Sequence, residues 1–243
     1  MPTNKPVKAS NARSTEPVAR PSRAVKAARV NAAPKSARPK TAKLTARERE
    51  RKIQSALYEI AATASAVQNM DEFYAAMHRI VGGLMYAPSF YLFLVNHERR
   101  LVSSAYWVDE VGDLPAPTIS LAELHEERSM LALVVESGQT LHVSRTQIDA
   151  MTRSGKVKPA GTMAEDWIGA PLMFEGRVDG VLVVQSYKRG IRYAEQDADL
   201  LTFVAQHIST ALTRARAIEE TRQRNAELEI INSVQQGLAS QLD

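Results

Sequence analysis

Not one of the 243 residues is a cysteine, which excludes disulfides, thiolate metal sites, a nucleophilic thiol and a thioether-linked chromophore. Long apolar runs are missing too. None approaches the ~18 residues of a membrane span, and the N-terminus lacks the apolar stretch of a secretory signal, so a cytoplasmic protein is the expectation. Acidic residues are nearly absent from the first 45 positions, where Lys5, Lys8, Arg13, Arg20, Arg23, Lys26, Arg29, Lys35, Arg38, Lys40 and Lys43 face only Glu16. Of 31 basic and 27 acidic residues, 20 and 26 then remain for the rest of the chain, so a part of net charge −6 stands behind the formal +4. A Gly-rich phosphate loop and a Gly-x-Ser-x-Gly nucleophile turn are also lacking.

What the chain does contain is the composition of a soluble globular protein, 44% hydrophobic and 24% charged, enough for one core. Residues 1–44 stand apart from it. They are Ala, Pro, Lys, Arg and Ser with occasional Val, and prolines at 2, 6, 17, 21, 34 and 39 interrupt any helix. Too little apolar surface is present to offset the entropy of ordering, so a disordered basic tail is expected. Such an arm could make weak, salt-sensitive contacts with nucleic acid or an anionic membrane. Its lack of aromatic residues for base stacking and the scatter of its lysines favour a solvated leader instead.

Periodicity begins after Thr45. Ile53, Leu57, Ile60, Ala64 and Val67 recur at three- and four-residue spacing, which predicts an amphipathic helix. Asn69 or Asp71 can cap a second helix, with Phe73, Met77, Ile80, Val81 and Leu84 on its apolar face and Gly82 and Gly83 as a local weakness. Pro88 ends the helical part. Phe90 to Val95 and Leu101 to Val108 read as a strand pair around the turn-like Asn96-His97-Glu98-Arg99. After a loop over 109–117, Ser120 can cap a short helix, Met130 to Glu136 form another that ends at Gly138, and Thr140 to Val143 form a short strand. Residues 145–165 read as an exposed excursion with a helical turn around Ile148 to Met151. Strands at about 167–174 and 178–187, joined through Glu175-Gly176-Arg177, make a last hairpin. This order predicts an α+β fold with a mainly antiparallel sheet, terminal helices over one face and the insert over the other.

One long helix closes the chain. Leu201, Val204, Ile208, Ala211, Ala215 and Ile218 alternate three- and four-residue steps, an a/d seam. The seam then falls on Arg222 and Asn225 and returns out of phase at Leu228, Ile231, Leu238 and Leu242. A phase break of this kind distorts a coiled coil locally and offers a place for register to change. Residues 45–215 are therefore expected to form the domain, and 216–243 a coiled-coil linker helix through which a homodimer forms.

Trp167-Ile-Gly-Ala-Pro-Leu172, Gly180-Val-Leu-Val-Val-Gln-Ser-Tyr187, Tyr193-x-x-x-Asp197, Leu200-Leu201 and Phe203-Val-Ala-Gln-His-Ile-Ser209 together resemble the C-terminal half of a GAF domain. The resemblance extends back through Asp71-Glu-Phe-Tyr-Ala-Ala-Met-His-Arg-Ile-Val81, Phe90-Tyr-Leu-Phe-Leu94 and Tyr106-Trp-Val-Asp-Glu110, covering about residues 53–215. It is similar to the GAF version at the front of bacterial sensor kinases and cyclases. The resemblance implies a central antiparallel sheet of about six strands flanked by helices, commonly dimeric through the terminal helices. It also implies a downstream kinase or cyclase output domain, in two-component or cyclic-nucleotide signalling. Residues 232–243 resemble the opening helix of a further GAF domain, so a second domain is expected to be cut short there.

Catalytic signals are sparse. His125-Glu126-Glu127 begins like a zinc-protease helix, but Ser129 stands where the second histidine is required. The remaining histidines, 78, 97, 142 and 207, are scattered. Asp109 and Glu110 are adjacent at a strand end, point to opposite faces and read as a solvated loop edge. Within the same fold family, free-methionine-sulfoxide reductase chemistry and a covalent bilin both need cysteine, so neither is expected and no cofactor is implied. A ligand would sit on the sheet face beneath the insert. Strand alternation brings Tyr91 and Phe93 together there, with Tyr106, Trp167 and Gln185 as further candidates. The expected function is a non-catalytic sensory module that dimerises through its terminal helices and passes ligand or partner binding to an output domain. The alternative is a binding protein whose basic arm tethers it to nucleic acid or anionic membrane.

Overall fold

The computed structural model describes residues 46–66, 68–158 and 161–239. The expectations placed on the tail at 1–44, on Val67 and on the chain end with Leu242 lie outside the described residues, and the side chain of Leu238 does too.

Two apolar stripes produce the first two helices. α1 (Ala46–Ala66) buries Ala56, Ile60 and Ala64 and partly covers Ile53 and Leu57. α2 (Met70–Leu84) starts where the Asn69 side chain accepts the Glu72 N–H at 2.9 Å, satisfying a donor that every helix start leaves open. It buries Phe73, Met77, Ile80 and Val81. Gly82 and Gly83 lie exposed in its last turn, and a Cβ on either would meet nothing within 4 Å, so among the described residues no neighbouring element packs on the pair.

The six strands β1 (Ser89–Asn96), β2 (Leu101–Val108), β3 (Ile119–Ser120), β4 (Leu141–Ser144), β5 (Asp166–Phe174) and β6 (Arg177–Ser186) form one antiparallel sheet in the order β3-β2-β1-β6-β5-β4. β1 and β6 are central and covered on both faces, so they read as continuous apolar runs. The β5–β6 hairpin turns on Glu175 (φ 48°) and Gly176 (φ 79°), two successive positive φ values whose twist matches that of the strands. β3 is too short to show alternation and carries no signal of its own in the sequence. Its last residue, Ser120, caps α3 (Leu121–Glu127) through reciprocal bonds with Glu123 at 2.7 and 3.1 Å. α4 (Met130–Ser137) ends at the left-handed Gly138, and α5 (Arg145–Arg153) completes the insert.

The sheet separates two cores. On one side α1, α2 and the inner half of α6 (Glu195–Ala239) cover Phe90, Leu92, Ile168, Leu172, Leu182 and Val184. On the other, α3, α4 and α5 cover Tyr91, Phe93, Trp167, Val181 and Val183.

α6 corrects one expectation. Leu201, Val204, Ile208, Ala211 and Ala215 are 0–6% exposed and belong to the helix-side core of the domain itself. They cannot also form an intermolecular seam. Three- and four-residue spacing arises wherever a helix lies on an apolar surface, and here that surface is the protein's own sheet and helices. Ile218 is half-buried at the edge of the domain, whereas every residue from Thr221 to Gln235 is exposed, Arg222 and Asn225 included. The helix continues unbroken through these two, so the phase change is a feature of the side-chain pattern and not of the backbone. Its 45 residues span roughly 68 Å at the α-helical rise. Among the described residues, no helix is long and apolar enough to cross a membrane.

Candidate functional site

Alternate residues of β1, β2, β5 and β6 turn their side chains toward the insert and enclose, with α3, α4 and α5, a cavity of about 410 Å³, a size typical of small-molecule sites. Its floor is aromatic. Tyr91 and Trp107 are register partners across β1 and β2, and their rings stack 3.8 Å apart with planes 21° from parallel. Phe93 meets both edge-on at 6.5 and 6.1 Å. The benzo ring of Trp167 passes over Gly169 two residues along the same strand, where a Cβ would stand 2.2 Å from Cη2. Only glycine leaves the indole that room. Leu124, Met130, Ile148 and Met163 cover the cavity from the insert.

A polar cluster closes one end of the floor. The Tyr91 and Tyr187 hydroxyls both donate to Asp109 Oδ2, the latter at 2.8 Å. Asp109 Oδ1 accepts the N–H groups of Val111 and Asp113 at 2.8 and 3.0 Å. Burial works to raise the Asp109 pKa, but the two hydroxyls and two amides together outweigh it and hold the carboxyl below its ordinary value. Burial first, and then the hydrogen bond to Asp109, push the Tyr91 hydroxyl far above the usual phenol range. Tyr187 is raised chiefly by burial, which outweighs the lowering hydrogen bond with Tyr91, and Asp109 adds to the rise. Both phenols therefore stay protonated. Gln185 Nε2 donates to each phenol oxygen at 2.5 Å.

Asp113 fastens the mouth of the cavity. Its carboxylate accepts the Thr162 N–H at 2.7 Å and the Thr162 hydroxyl at 3.1 Å, while its carbonyl accepts Trp107 Nε1–H at 2.8 Å. The loop after β2 is thereby tied to the segment that leads into β5.

Four of the five residues singled out from the sequence, Tyr91, Phe93, Trp167 and Gln185, line the cavity. Tyr106 does not. It pairs with Leu92, and its ring lies on the helix side, where the hydroxyl meets His78 Nδ1 at 3.2 Å and the ring packs edge-on to Phe90. Its neighbour Trp107 takes the cavity position. A one-residue slip in register exchanges the two faces of a strand, and the shift between Leu92 and Phe93 in the β1–β2 pairing is not countable from sequence.

Trp107, Asp109 and Tyr187 complete the site without a motif to announce them. Tyr187 had one usable signal, its place two residues beyond Gln185. Asp109 and Glu110 do point apart, but neither is a solvated loop edge. Glu110 accepts the Tyr86 hydroxyl at 2.9 and 3.0 Å and pairs with Lys188. Among the described residues, no group of three His, Asp or Glu side chains is placed to hold a metal ion, and His125 instead bonds Glu136 at 2.5 Å.

A family profile described as GAF domain matches residues 67–213, more than half of the chain. The chain belongs to the GAF domain family. GAF domains are sensory, ligand-binding regulatory modules of signalling proteins, and the curled six-stranded sheet with a long C-terminal helix is their fold. Over 65 residues the chain is 31% identical to the circadian input-output histidine kinase CikA of Thermosynechococcus vestitus, a match covering 27% of this chain and 9% of that protein. The matched stretch is thus less than a tenth of that relative's length.

Two solved structures have the same fold. The free methionine-R-sulfoxide reductase of Neisseria meningitidis, in complex with its substrate, aligns with a TM-score of 0.54 at 18% identity, covering 68% of this chain and 91% of that one. The GAF domain of an Acinetobacter phosphoenolpyruvate-protein phosphotransferase aligns with a TM-score of 0.52 at 15% identity, covering 68% and 95%. The first of these is an enzyme, so the GAF fold by itself does not decide between binding and catalysis. In this GAF domain the cavity offers aromatic faces, an amide and two protonated phenols that are bonded to Asp109, which is equipment for holding a ligand.

Proposed function

We propose that this GAF domain is a non-catalytic sensory module in which a small molecule bound between sheet and insert changes the setting of α6, and that α6 passes the change to an output domain in a longer form of the protein. The observation that carries this reading is an unbroken set of contacts from the cavity to the root of α6, through two pairs of adjacent residues. Asp109 holds the cavity tyrosines while Glu110 holds Tyr86 and Lys188. Tyr187 stands at the cavity while Lys188 pairs with Glu110. The Tyr86 carbonyl in turn accepts the Tyr193 hydroxyl at 2.8 Å, and Tyr193 lies just ahead of Glu195, where α6 begins. A ligand shifts α6 by as much as its affinity differs between two settings of this network. The likeness to a histidine kinase favours a kinase over a cyclase as the output.

The dimer contact belongs on the outer half of α6. Leu228, Ile230, Ile231 and Val234 are 51–65% exposed, and a helix projecting alone into water is marginal. Packing on the same segment of a second copy relieves both conditions, with Arg222 and Asn225 at the base of the contact. Native mass spectrometry of the protein as isolated is expected to find a dimer retaining a small molecule. A dimer that survives truncation after Glu220 overturns the helix contact. A spin label introduced by Arg224→Cys, in a chain with no other cysteine, reads the spacing of the two helices. Spacing that does not respond to ligand overturns the transmission.

The alternative reading is a binding protein whose basic arm tethers it to nucleic acid or anionic lipid; the N-terminal charge asymmetry supports it and the arm's lack of aromatic residues opposes it. Salt-sensitive binding to DNA or vesicles that persists after deletion of residues 1–44 rules it out.

A further inference from the structure

Within the cavity network one polar atom has no protein partner among the described residues. Tyr91 and Tyr187 each have a single hydroxyl proton, and both protons go to Asp109. Their oxygens are then acceptors only, so the group facing them must supply two hydrogens. Gln185 Nε2 has two and lies 2.5 Å from each phenol oxygen. With both phenol protons directed at the Asp109 carboxylate, exchanging the amide nitrogen and oxygen would set Oε1 against two oxygens with no proton between them, and this proton arrangement selects the amide's orientation.

Oε1 is left facing away from the cluster. Among the described residues it accepts no hydrogen bond, and Gln185, 8% exposed, lines the cavity. Oε1 is not one of the side-chain atoms sealed from solvent without a partner, so it is reachable from the cavity and free to accept from a donor placed there. The charged residues of the lining point the same way. They are Asp113, Glu127 and Lys158, and the lysine's ammonium already donates to the Glu126 carbonyl at 3.0 Å. An anion entering this space meets two carboxylates against a single ammonium.

We propose that the occupant is a flat conjugated molecule, neutral or cationic, that donates an N–H or O–H to Gln185 Oε1 while its faces lie against Phe93, Trp107 and Trp167, and that Gln185 sets this preference. Phosphorylated compounds, nucleotides included, fall outside the class. The inference rests on the reading of the cavity as a ligand site.

Carbazole and dibenzofuran have the same flat tricyclic outline and differ at one atom, an N–H donor against an ether oxygen. Calorimetric titration of the full chain is expected to show carbazole binding about tenfold more tightly than dibenzofuran, the scale of one buried hydrogen bond. Carbazole-3-carboxylate is expected to bind more weakly than carbazole. Both of the chain's tryptophans line the cavity, so energy transfer from them to carbazole reports that the probe is inside it. Gln185→Leu is expected to bring carbazole and dibenzofuran within twofold of each other, and Phe93→Leu to weaken both alike. Equal affinities in the unaltered protein, or a preference that survives Gln185→Leu, overturn the role of Gln185 and leave the ligand site standing. Tighter binding of the carboxylate overturns the charge preference. Binding of neither carbazole nor dibenzofuran removes the ligand site itself, and the inference with it.

Discussion

Val183 and Val184 are chain neighbours on β6, 1% and 0% exposed, and they occupy different surroundings. Val184 packs among Phe90, Leu92 and Ile168 under the long helices. Val183 faces the insert and forms part of the cavity wall. The strand's two-residue period assigns them to opposite faces, and the covers then differ. α1, α2 and α6 bring long apolar stripes that fill the space against the sheet. α3, α4 and α5, at 7, 8 and 9 residues, are short, and they close the edges of their face while leaving room at its centre. Burial alone therefore does not separate the residue that holds the fold together from the residue that shapes the site.

The largest expected effect tests this contrast directly. Val184→Ala opens a void in a filled core and is expected to cost about 2–3 kcal/mol in chemical denaturation, whereas Val183→Ala widens existing space and is expected to cost about 1 kcal/mol. Equal costs would break the comparison. Next comes Gly169→Ala, whose added methyl meets the Trp167 indole. We expect about 1–2 kcal/mol of destabilisation, with a changed tryptophan emission spectrum as Trp167 is displaced.

Tyr187→Phe is expected to cost about 1 kcal/mol at neutral pH by removing one donor from Asp109. The native Asp109 pKa lies below its ordinary value, so its contribution is full above the unfolded pKa of about 3.9 and is lost as pH falls through the native pKa. The substitution moves the native pKa back up. The stability advantage of the unaltered protein should therefore be greatest at neutral pH and shrink in acid, and NMR titration of the Asp109 carboxyl should show the rise. Smallest is Tyr106→Phe, which loses only the bond to His78 on the helix side. Less than about 1 kcal/mol is expected, with carbazole affinity unchanged; a large loss of affinity would place Tyr106 in the site after all.

The helices, five of the six strands and their antiparallel pairing were legible in the chain, because each has enough residues to display its own period. β3 was not, since two residues cannot alternate. The site was legible where a strand's own alternation sufficed, as for Tyr91 with Phe93. It was illegible where two strands had to be aligned, which is how Trp107 rather than Tyr106 came to lie beneath the insert. α6 shows the same division. Its spacing announces an apolar face, but whether that face meets its own domain or a second copy depends on where the chain turns between β6 and α6.

The sequence by itself determined the order of elements other than β3, the GAF family and the exclusion of thiol chemistry, all properties of local pattern and composition. Tertiary structure decided which face Tyr106 and Trp107 take, that Asp109 ties the two cavity phenols together, and that Leu201, Val204, Ile208, Ala211 and Ala215 are core. Each of these depends on register between segments distant in the chain, and a one-residue shift reverses the answer without altering local periodicity.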